Sequence, residues 1–146
     1  MNYSFRPVTF DDFDFIFELK KQSFKCYVEK IWGWEDNDQK ERLRKDLEEN
    51  LEHKRIITLR GKDIGVYVAH ITETGDLFIN DISLLKEYQN KGIGTDILKK
   101  QLEENKNKGI RTILQVFKDN KAKQLYEKLG FKIYNETETH YQMEKV

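Results

Sequence analysis

Cysteine and proline are almost missing from this sequence: Cys26 and Pro7 are the only ones. A lone cysteine excludes an intrachain disulfide, and a reducing compartment is the simplest setting for such a chain. No apolar run approaches the ~18 residues of a membrane span. The opening "MNYSFRPVTFDDFDF" has no basic-then-apolar leader pattern. The expectation is a cytoplasmic protein with no membrane partner. Charge of one sign is not in excess either, with Lys plus Arg at 26 and Asp plus Glu at 26. A general polyanion binder carries a basic surplus, so no nucleic-acid partner is expected. Glycine- or serine-rich linkers, repeats and low-complexity tracts are also lacking, which leaves residues 1–146 as one expected domain. Apolar residues make up 38 % of the chain and include nine Phe, seven Tyr and two Trp, enough for a hydrophobic core.

What is present reads as alternating strand and helix signals. A short strand "YSFRPV" precedes Thr9 and Asp12, spaced as a capping box with aspartate in the acidic position. The helix that follows carries Phe13, Ile16, Phe17, Phe24 and Val28 close to a 3.6-residue stripe. The stretch "KIWGWEDND" is expected as a loop, before a second helix marked by Leu43, Leu47 and Leu51. "RIITL", the turn "RGKD" and "IGVYVAHIT" form an expected hairpin, and the turn "ETGD" leads into the strand "LFINDISLL". A helix with Ile93, Ile97, Leu98 and Leu102 on one side ends at Gly109, a suitable C-terminal cap. Then come the strand "IRTILQVF", the short helix "DNKAKQLYEKLG" and a terminal pair, "FKIYNE" and "HYQMEK". Residues 77–117 form a strand–helix–strand unit, which requires a parallel pair with a right-handed crossover. The remaining strands are joined by turns. The expected fold class is α/β (α+β), with a mixed, mostly antiparallel sheet of about seven strands flanked by about four helices.

The segment "KEYQNKGIGTDILKKQL" places Gly92 and Gly94 where a helix begins, and glycine there costs roughly 0.5–1 kcal/mol relative to alanine. A tight turn is one reason. An anion drawn to the unpaired N–H groups and positive end of a helix is another. A P-loop requires Gly-x-x-x-x-Gly-Lys-[Ser/Thr], which is absent. A dinucleotide loop requires a third glycine where Ile97 stands.

The pattern Gln89-x-x-Gly92-x-Gly94, after a strand and before a long amphipathic helix, resembles the acetyl-CoA pyrophosphate loop of the GNAT superfamily of N-acetyltransferases. Downstream, "NKAKQLYEKLGF" is similar to that family's second CoA-contacting segment, with Asn120, Ala122, Tyr126, Gly130 and Phe131 in place. The resemblance implies a GNAT fold with one parallel strand pair at the cofactor site. It also implies acetyl transfer from acetyl-CoA to a primary amine of a small molecule or a protein, by direct attack in a ternary complex. No metal is implied, and a homodimer is compatible with it.

Carried over residue by residue, the main chain of Ile82, Ser83 and Leu84 would pair with the pantetheine arm by β-augmentation. Asn90, Lys91, Gly92, Ile93, Gly94 and Thr95 would surround the pyrophosphate, with Gln89 bracing the loop. The amide of Leu84 is the expected donor to the thioester carbonyl. Tyr126 is the expected acid toward the departing thiolate, although Ala122, Leu125, Tyr126 and Leu129 also form an apolar stripe that fits core packing. Asn120 suits either a helix cap or the cofactor arm. Lys118, Lys121 and Lys123 suit either the CoA phosphates or a solvated face.

Many family members carry a glutamate in the strand before the loop, and "LFINDISLL" has none. Asp81 is the nearest carboxylate and stands as the candidate base. His140 is an alternative that also belongs among the acceptor-site candidates, and a water relay would need neither. The segment "CYVEKIWGWEDND" gathers Tyr27, Trp32 and Trp34 with Glu29, Glu35, Asp36 and Asp38. Aromatic faces and carboxylates suit an ammonium, so Tyr27, Trp32, Trp34, Glu35 and His140 are the candidate acceptor residues. They serve equally as a core edge and a helix cap. The competing reading of the whole chain is a non-catalytic acyl-CoA-binding module with the same loop.

Overall fold

Apolar strand runs and apolar helix stripes give the element order of the computed structural model, which describes residues 2–146. The strands are β1 (Tyr3–Pro7), β2 (Lys54–Leu59), β3 (Lys62–Ile71), β4 (Leu77–Leu84), β5 (Thr112–Phe117), β6 (Lys132–Glu136) and β7 (His140–Lys145). The helices are α1 (Phe13–Trp32), α2 (Asp36–Asn50), α3 (Ile93–Lys108) and α4 (Ala122–Lys128). The strands form one seven-stranded sheet in the order β1-β2-β3-β4-β5-β7-β6. β4 and β5 run parallel, whereas β1/β2, β2/β3, β5/β7 and β6/β7 are antiparallel. The mixed sheet, the four helices and the single parallel pair agree with the fold expected from sequence. Among the described residues, no helix is long and apolar enough to cross a membrane.

One helix boundary departs from expectation. α1 runs through Trp32 and stops at Gly33, whose φ of +77° ends the helix, so the connector is only residues 33–35. Trp32 therefore sits on the last turn of α1 and not in a loop, while Tyr27 lies in the helix as expected. Thr9 N–H donates to Asp12 Oδ2 at 2.9 Å, which fixes the entry to α1.

The chain packs as two compact units. One holds the chain up to Val68 together with Asp81–Ile93. Its core joins Val8, Ile16, Phe17, Leu43, Leu47 and Ile56, with Leu19, Val66 and Val68 as a second cluster. Arg6 fastens this unit from within, donating to Asp12 Oδ1 and Asp63 Oδ2, both at 2.7 Å. The other unit holds Ala69–Asn80 and Gly94–Val146. There Ile97, Leu98, Ile113, Leu114, Phe131 and Met143 are buried. A buried polar link ties α3 to β5: Asn105 donates to Thr112 Oγ1 at 2.7 Å and accepts from Gln101 at 3.0 Å.

Candidate functional site

The glycine segment joins β4 to α3 through a short helical turn, Lys86–Tyr88, and a bend. Asn90 and Gly92 both take left-handed backbone, at φ +60° and +85°. Glycine adopts this conformation freely and asparagine tolerates it, so the sequence here follows from the turn. Gly94 is different, because it lies within α3 and is not among the positive-φ glycines. Its missing side chain has no conformational cause. The Gln89 side-chain amide donates to Leu84 O at 2.9 Å and ties the loop back to the end of β4. Asn90, Lys91 and Gly92 are exposed, Gly94 and Thr95 half-buried, and Ile93 is buried beneath them. Exposed main chain thus leads directly into the amino end of a sixteen-residue helix.

The β4 main chain ahead of this loop lies unusually close to β3. A Cβ added at Gly65 would stand 2.3 Å from Ser83 O and 3.2 Å from Leu84 Cα. Leu85 N–H donates to Ile64 O at 2.8 Å beside it. Glycine within a strand marks such close approaches, and the β2/β3 register shifts nearby, between Ile57 and Thr58. Gly65 therefore positions Ser83 and Leu84, although nothing local in "IGVYVAH" announces it. The parallel ladder is described from Leu77↔Thr112 to Ile79↔Leu114. β4 continues past it through residues 80–84, and β5 through residues 115–117.

Asp81 is drawn into an ionic group. Its Oδ1 accepts from Ser83 Oγ at 2.5 Å, and its Oδ2 is shielded from solvent without a hydrogen-bond partner. Burial pushes its pKa up, against the pull of Lys20, the Ser83 hydrogen bond and Lys54, with Asp46 adding to the rise. Nearby, Lys54 Nζ lies 2.5 Å from Asp46 Oδ2, and Asn50 donates to Asp46 Oδ1 at 2.9 Å. Burial alone would raise the Asp46 pKa, but these two hydrogen bonds hold it below the usual value. The Ile82 side chain is half-buried, and those of Ser83 and Leu84 are buried.

In the other unit, the Tyr126 ring meets Phe131 edge-on at 5.8 Å. None of the α4 stripe is fully buried, so Tyr126 is half-exposed rather than sealed in the core. Asn120 acts locally as a cap, its Oδ1 accepting from Ala122 N–H at 2.9 Å. Lys118 pairs with Glu136 at 3.1 Å and Lys123 with Glu127 at 3.5 Å, and both cations lie over the Tyr141 ring. His140 stacks on Phe117 with centroids 4.2 Å apart, and Nδ1 lies 2.7 Å from Thr139 Oγ1. Burial lowers the His140 pKa.

Of the acceptor candidates, Trp34 turns inward. It packs on Phe17 at 6.4 Å and donates Nε1–H to Asp36 Oδ1 at 2.7 Å. Asp36 also binds Lys21 at 3.0 Å, and Asp38 binds Arg42 at 3.0 Å. Hydrogen bonds from Trp34 and then Lys21 lower the Asp36 pKa. Trp32 is 63 % exposed, Tyr27 is half-buried, and Glu35 is exposed at the start of α2. Sequence spacing grouped these aromatics, but only Trp32 and Glu35 lie fully at the surface.

Comparison with known proteins bears on this geometry. A family model described as Acetyltransferase (GNAT) domain matches residues 51–133, from the end of α2 into β6. No curated protein matches the chain. Among solved structures, the PaiA N-acetyltransferase of Thermoplasma acidophilum, in complex with coenzyme A, is 22 % identical. The alignment covers 99 % of each chain at a TM-score of 0.75. An acetyltransferase of Thermus thermophilus is 18 % identical over 99 % of this chain and 97 % of its own, with a TM-score of 0.77. Arabidopsis thaliana Naa50, in complex with the bisubstrate analogue CoA-Ac-MVNAL, is 18 % identical over 100 % and 99 % at 0.68. At these identities the likeness is one of fold. The family match spans more than half of the chain and contains the tethered glycine loop together with β4, α3, β5 and α4, and on that ground the chain belongs to the GNAT family of acetyltransferases.

Proposed function

We propose that the chain transfers an acetyl group from acetyl-CoA to a primary amine, of a small molecule or of a protein or peptide, by direct attack in a ternary complex. The observation that carries this reading is the loop at residues 89–95. Asn90 and Gly92 curl the main chain, Gln89 ties it to Leu84, and the amino end of α3 opens behind it. Successive N–H groups in such a turn, together with the helix end, form a concavity that favours an anion such as the CoA pyrophosphate. Asn90, Lys91, Gly92, Ile93, Gly94 and Thr95 provide that seat.

An arm rising from this seat meets β4 at Leu84 and runs back toward its amino end, pairing with the main chain of Ile82, Ser83 and Leu84. This direction puts the thioester nearer Ile82. We therefore assign the carbonyl donor to the Ile82 amide, whereas the sequence pattern alone suggested Leu84. Tyr126 protonates the departing thiolate. A phenol at about 10 and a thiol at about 8.5 make that transfer uphill by roughly 2 kcal/mol in water, so it operates as a transition-state hydrogen bond. Trp32 and Glu35 border the acceptor. A protein or peptide acceptor has a parallel in Naa50, bound to a peptide-containing analogue, and in the ribosomal-protein-S18-alanine N-acetyltransferase of Escherichia coli.

The second reading, a non-catalytic acyl-CoA sensor, draws on the shielded Asp81 carboxylate and the lack of a strand glutamate. One experiment separates the two. Acetyl-CoA at 100 times its Kd stabilises the chain by about 2.7 kcal/mol, and a panel of amines releases CoA thiol. Stabilisation without thiol release leaves the sensor. Absence of both removes the acetyl-CoA reading altogether.

A further inference from the structure

The proposed seat accounts for the diphosphate of CoA and for the arm that leads to the thioester. CoA also carries a phosphate monoester on the 3′-oxygen of its ribose, at the other end of the diphosphate. Such a group bears a charge of about −1.5 to −2 near pH 7, so it calls for cations of its own. The chain as a whole is balanced in charge, which makes a local excess of one sign informative.

An excess of that kind stands beside the loop. β3 begins at Lys62, and Leu85 N–H donates to Ile64 O at 2.8 Å, so the start of β3 lies against the end of β4. Tyr88, in the short turn after β4, has two ammonium groups near its ring. Lys62 Nζ is 5.5 Å and Lys91 Nζ 6.0 Å from the ring centroid. Lys62 also hydrogen-bonds the Tyr88 side chain, and that bond, with Glu87 adding to it, raises the Lys62 pKa. Glu87 itself is 4.0 Å from Lys62, a loose pair between two exposed side chains. Among the described residues Lys91 has no carboxylate partner, and it is exposed within the loop. All four residues belong to one compact unit. Two like charges around one ring repel, and the ring face offsets only part of that cost. An anion that meets both removes it.

We propose that Lys62 and Lys91, spaced by Tyr88, bind the 3′-phosphate of CoA and so select CoA esters over their 3′-dephospho analogues. This rests on the acetyl-CoA reading above. The arm already commits one end of the diphosphate to β4, and the adenosine end is left for the exposed side of the loop, where Lys91 stands. Lysine binds phosphate as a point charge on a flexible stem, so small rotations of the two exposed side chains suffice to reach one phosphate. Glu87 competes for Lys62 and repels the phosphate, which makes the site weaker than its two cations alone would be.

The test is titration calorimetry of the full chain with acetyl-CoA and with 3′-dephospho-acetyl-CoA. Exposed lysine–anion contacts contribute about two- to fivefold each. Acetyl-CoA should therefore bind roughly four- to twenty-fivefold more tightly than the analogue. Lys62→Gln should weaken acetyl-CoA by about two- to fivefold and leave the analogue's Kd unchanged, whereas Lys62→Arg should keep the gap. Glu87→Gln should widen it. The wild-type comparison needs no variant, so it stands even where a substitution fails to fold. Equal wild-type affinity for the two ligands overturns the proposal and leaves the acetyl-CoA reading in place. A gap that Lys62→Gln does not narrow overturns the assignment to Lys62 and Tyr88. Wild-type protein that binds neither ligand removes the underlying reading, and this inference with it.

Discussion

Replacing Gly65 with alanine tests whether β4 is held in a special position by its neighbour. The new Cβ would stand 2.3 Å from Ser83 O, whereas carbon–oxygen contacts even of the attractive kind stay near 3.3 Å. About 1 Å of movement is therefore demanded; Leu84 Cδ2, at 2.8 Å, can turn aside, but the nearest obstructing atom is main chain and cannot swing away as a side-chain tip can. Overpacking of this kind costs about 1–3 kcal/mol. For a chain of this length each kcal/mol lowers Tm by about 2–4 °C, so a fall of about 2–12 °C is expected by scanning calorimetry. The displaced atoms also belong to the stretch proposed to pair with the cofactor arm, so acetyl-CoA affinity should fall with the stability. Gly75→Ala is the control. Its φ of +84° makes it strained, but no atom lies within 4 Å of the added Cβ and the turn is remote in sequence from the loop. That variant should lose stability without losing acetyl-CoA. A Gly65→Ala protein with wild-type Tm and affinity would refute the argument from close approach.

Three further outcomes are expected. The raised pKa of Asp81 means that the native state holds its proton more tightly than the unfolded chain does. This group's contribution to stability is complete below the unfolded value near 3.9 and is lost as pH rises through the native value. Asp81→Asn, which keeps an acceptor for Ser83, should therefore raise stability at neutral pH and lose that advantage in acid, as read by urea melts at both. Tyr126→Phe should lower kcat about 10²-fold with acetyl-CoA affinity nearly intact; an unchanged thiol-release rate would count Tyr126 as packing only. Asn120→Ala removes the acceptor for Ala122 N–H and should cost about 0.5–2 kcal/mol, with lowered Tm as the readout and unchanged acetyl-CoA affinity if capping is its sole task.

How much of this was legible in the sequence depends on how far apart the causes lie along the chain. The strands and helices follow from local patterns visible within about ten residues, and the parallel pair follows from the strand–helix–strand order of residues 77–117. The end of α1 differs from the expectation: polar and glycine residues in "KIWGWEDND" point to a loop before Gly33, while the helix continues until Gly33 itself supplies the stop at positive φ. The glycine loop was legible because its cause, a left-handed turn before a helix, is also local. Gly65 against Ser83 and Lys62 against Tyr88 were not. Each depends on the β3/β4 register, and register is fixed by packing and turn geometry that no short window contains. Trp34 and Trp32 are near in sequence, yet Trp34 packs on Phe17, as the core-edge alternative has it, while Trp32 is exposed.

Gly92 and Gly94 look alike in sequence and differ in what they prove. Gly92 is required by its own φ of +85°, so a turn explains it with or without a ligand. Gly94 lies in α3 and has no such need, and a helix interior penalises glycine by up to about 1 kcal/mol against alanine. The two substitutions should therefore part company. Gly92→Ala should destabilise the ligand-free protein, because alanine resists the left-handed region by roughly 1–2 kcal/mol. Gly94→Ala should leave the ligand-free protein as stable or slightly more so, yet weaken acetyl-CoA binding, since the methyl group would occupy space that a diphosphate needs against the amides. Thermal melts without ligand and titration calorimetry with acetyl-CoA measure the two effects separately. If Gly94→Ala binds acetyl-CoA as the parent does, the open main chain at the start of α3 has no ligand-based reason, and the proposed pyrophosphate seat loses the residue that most favours it.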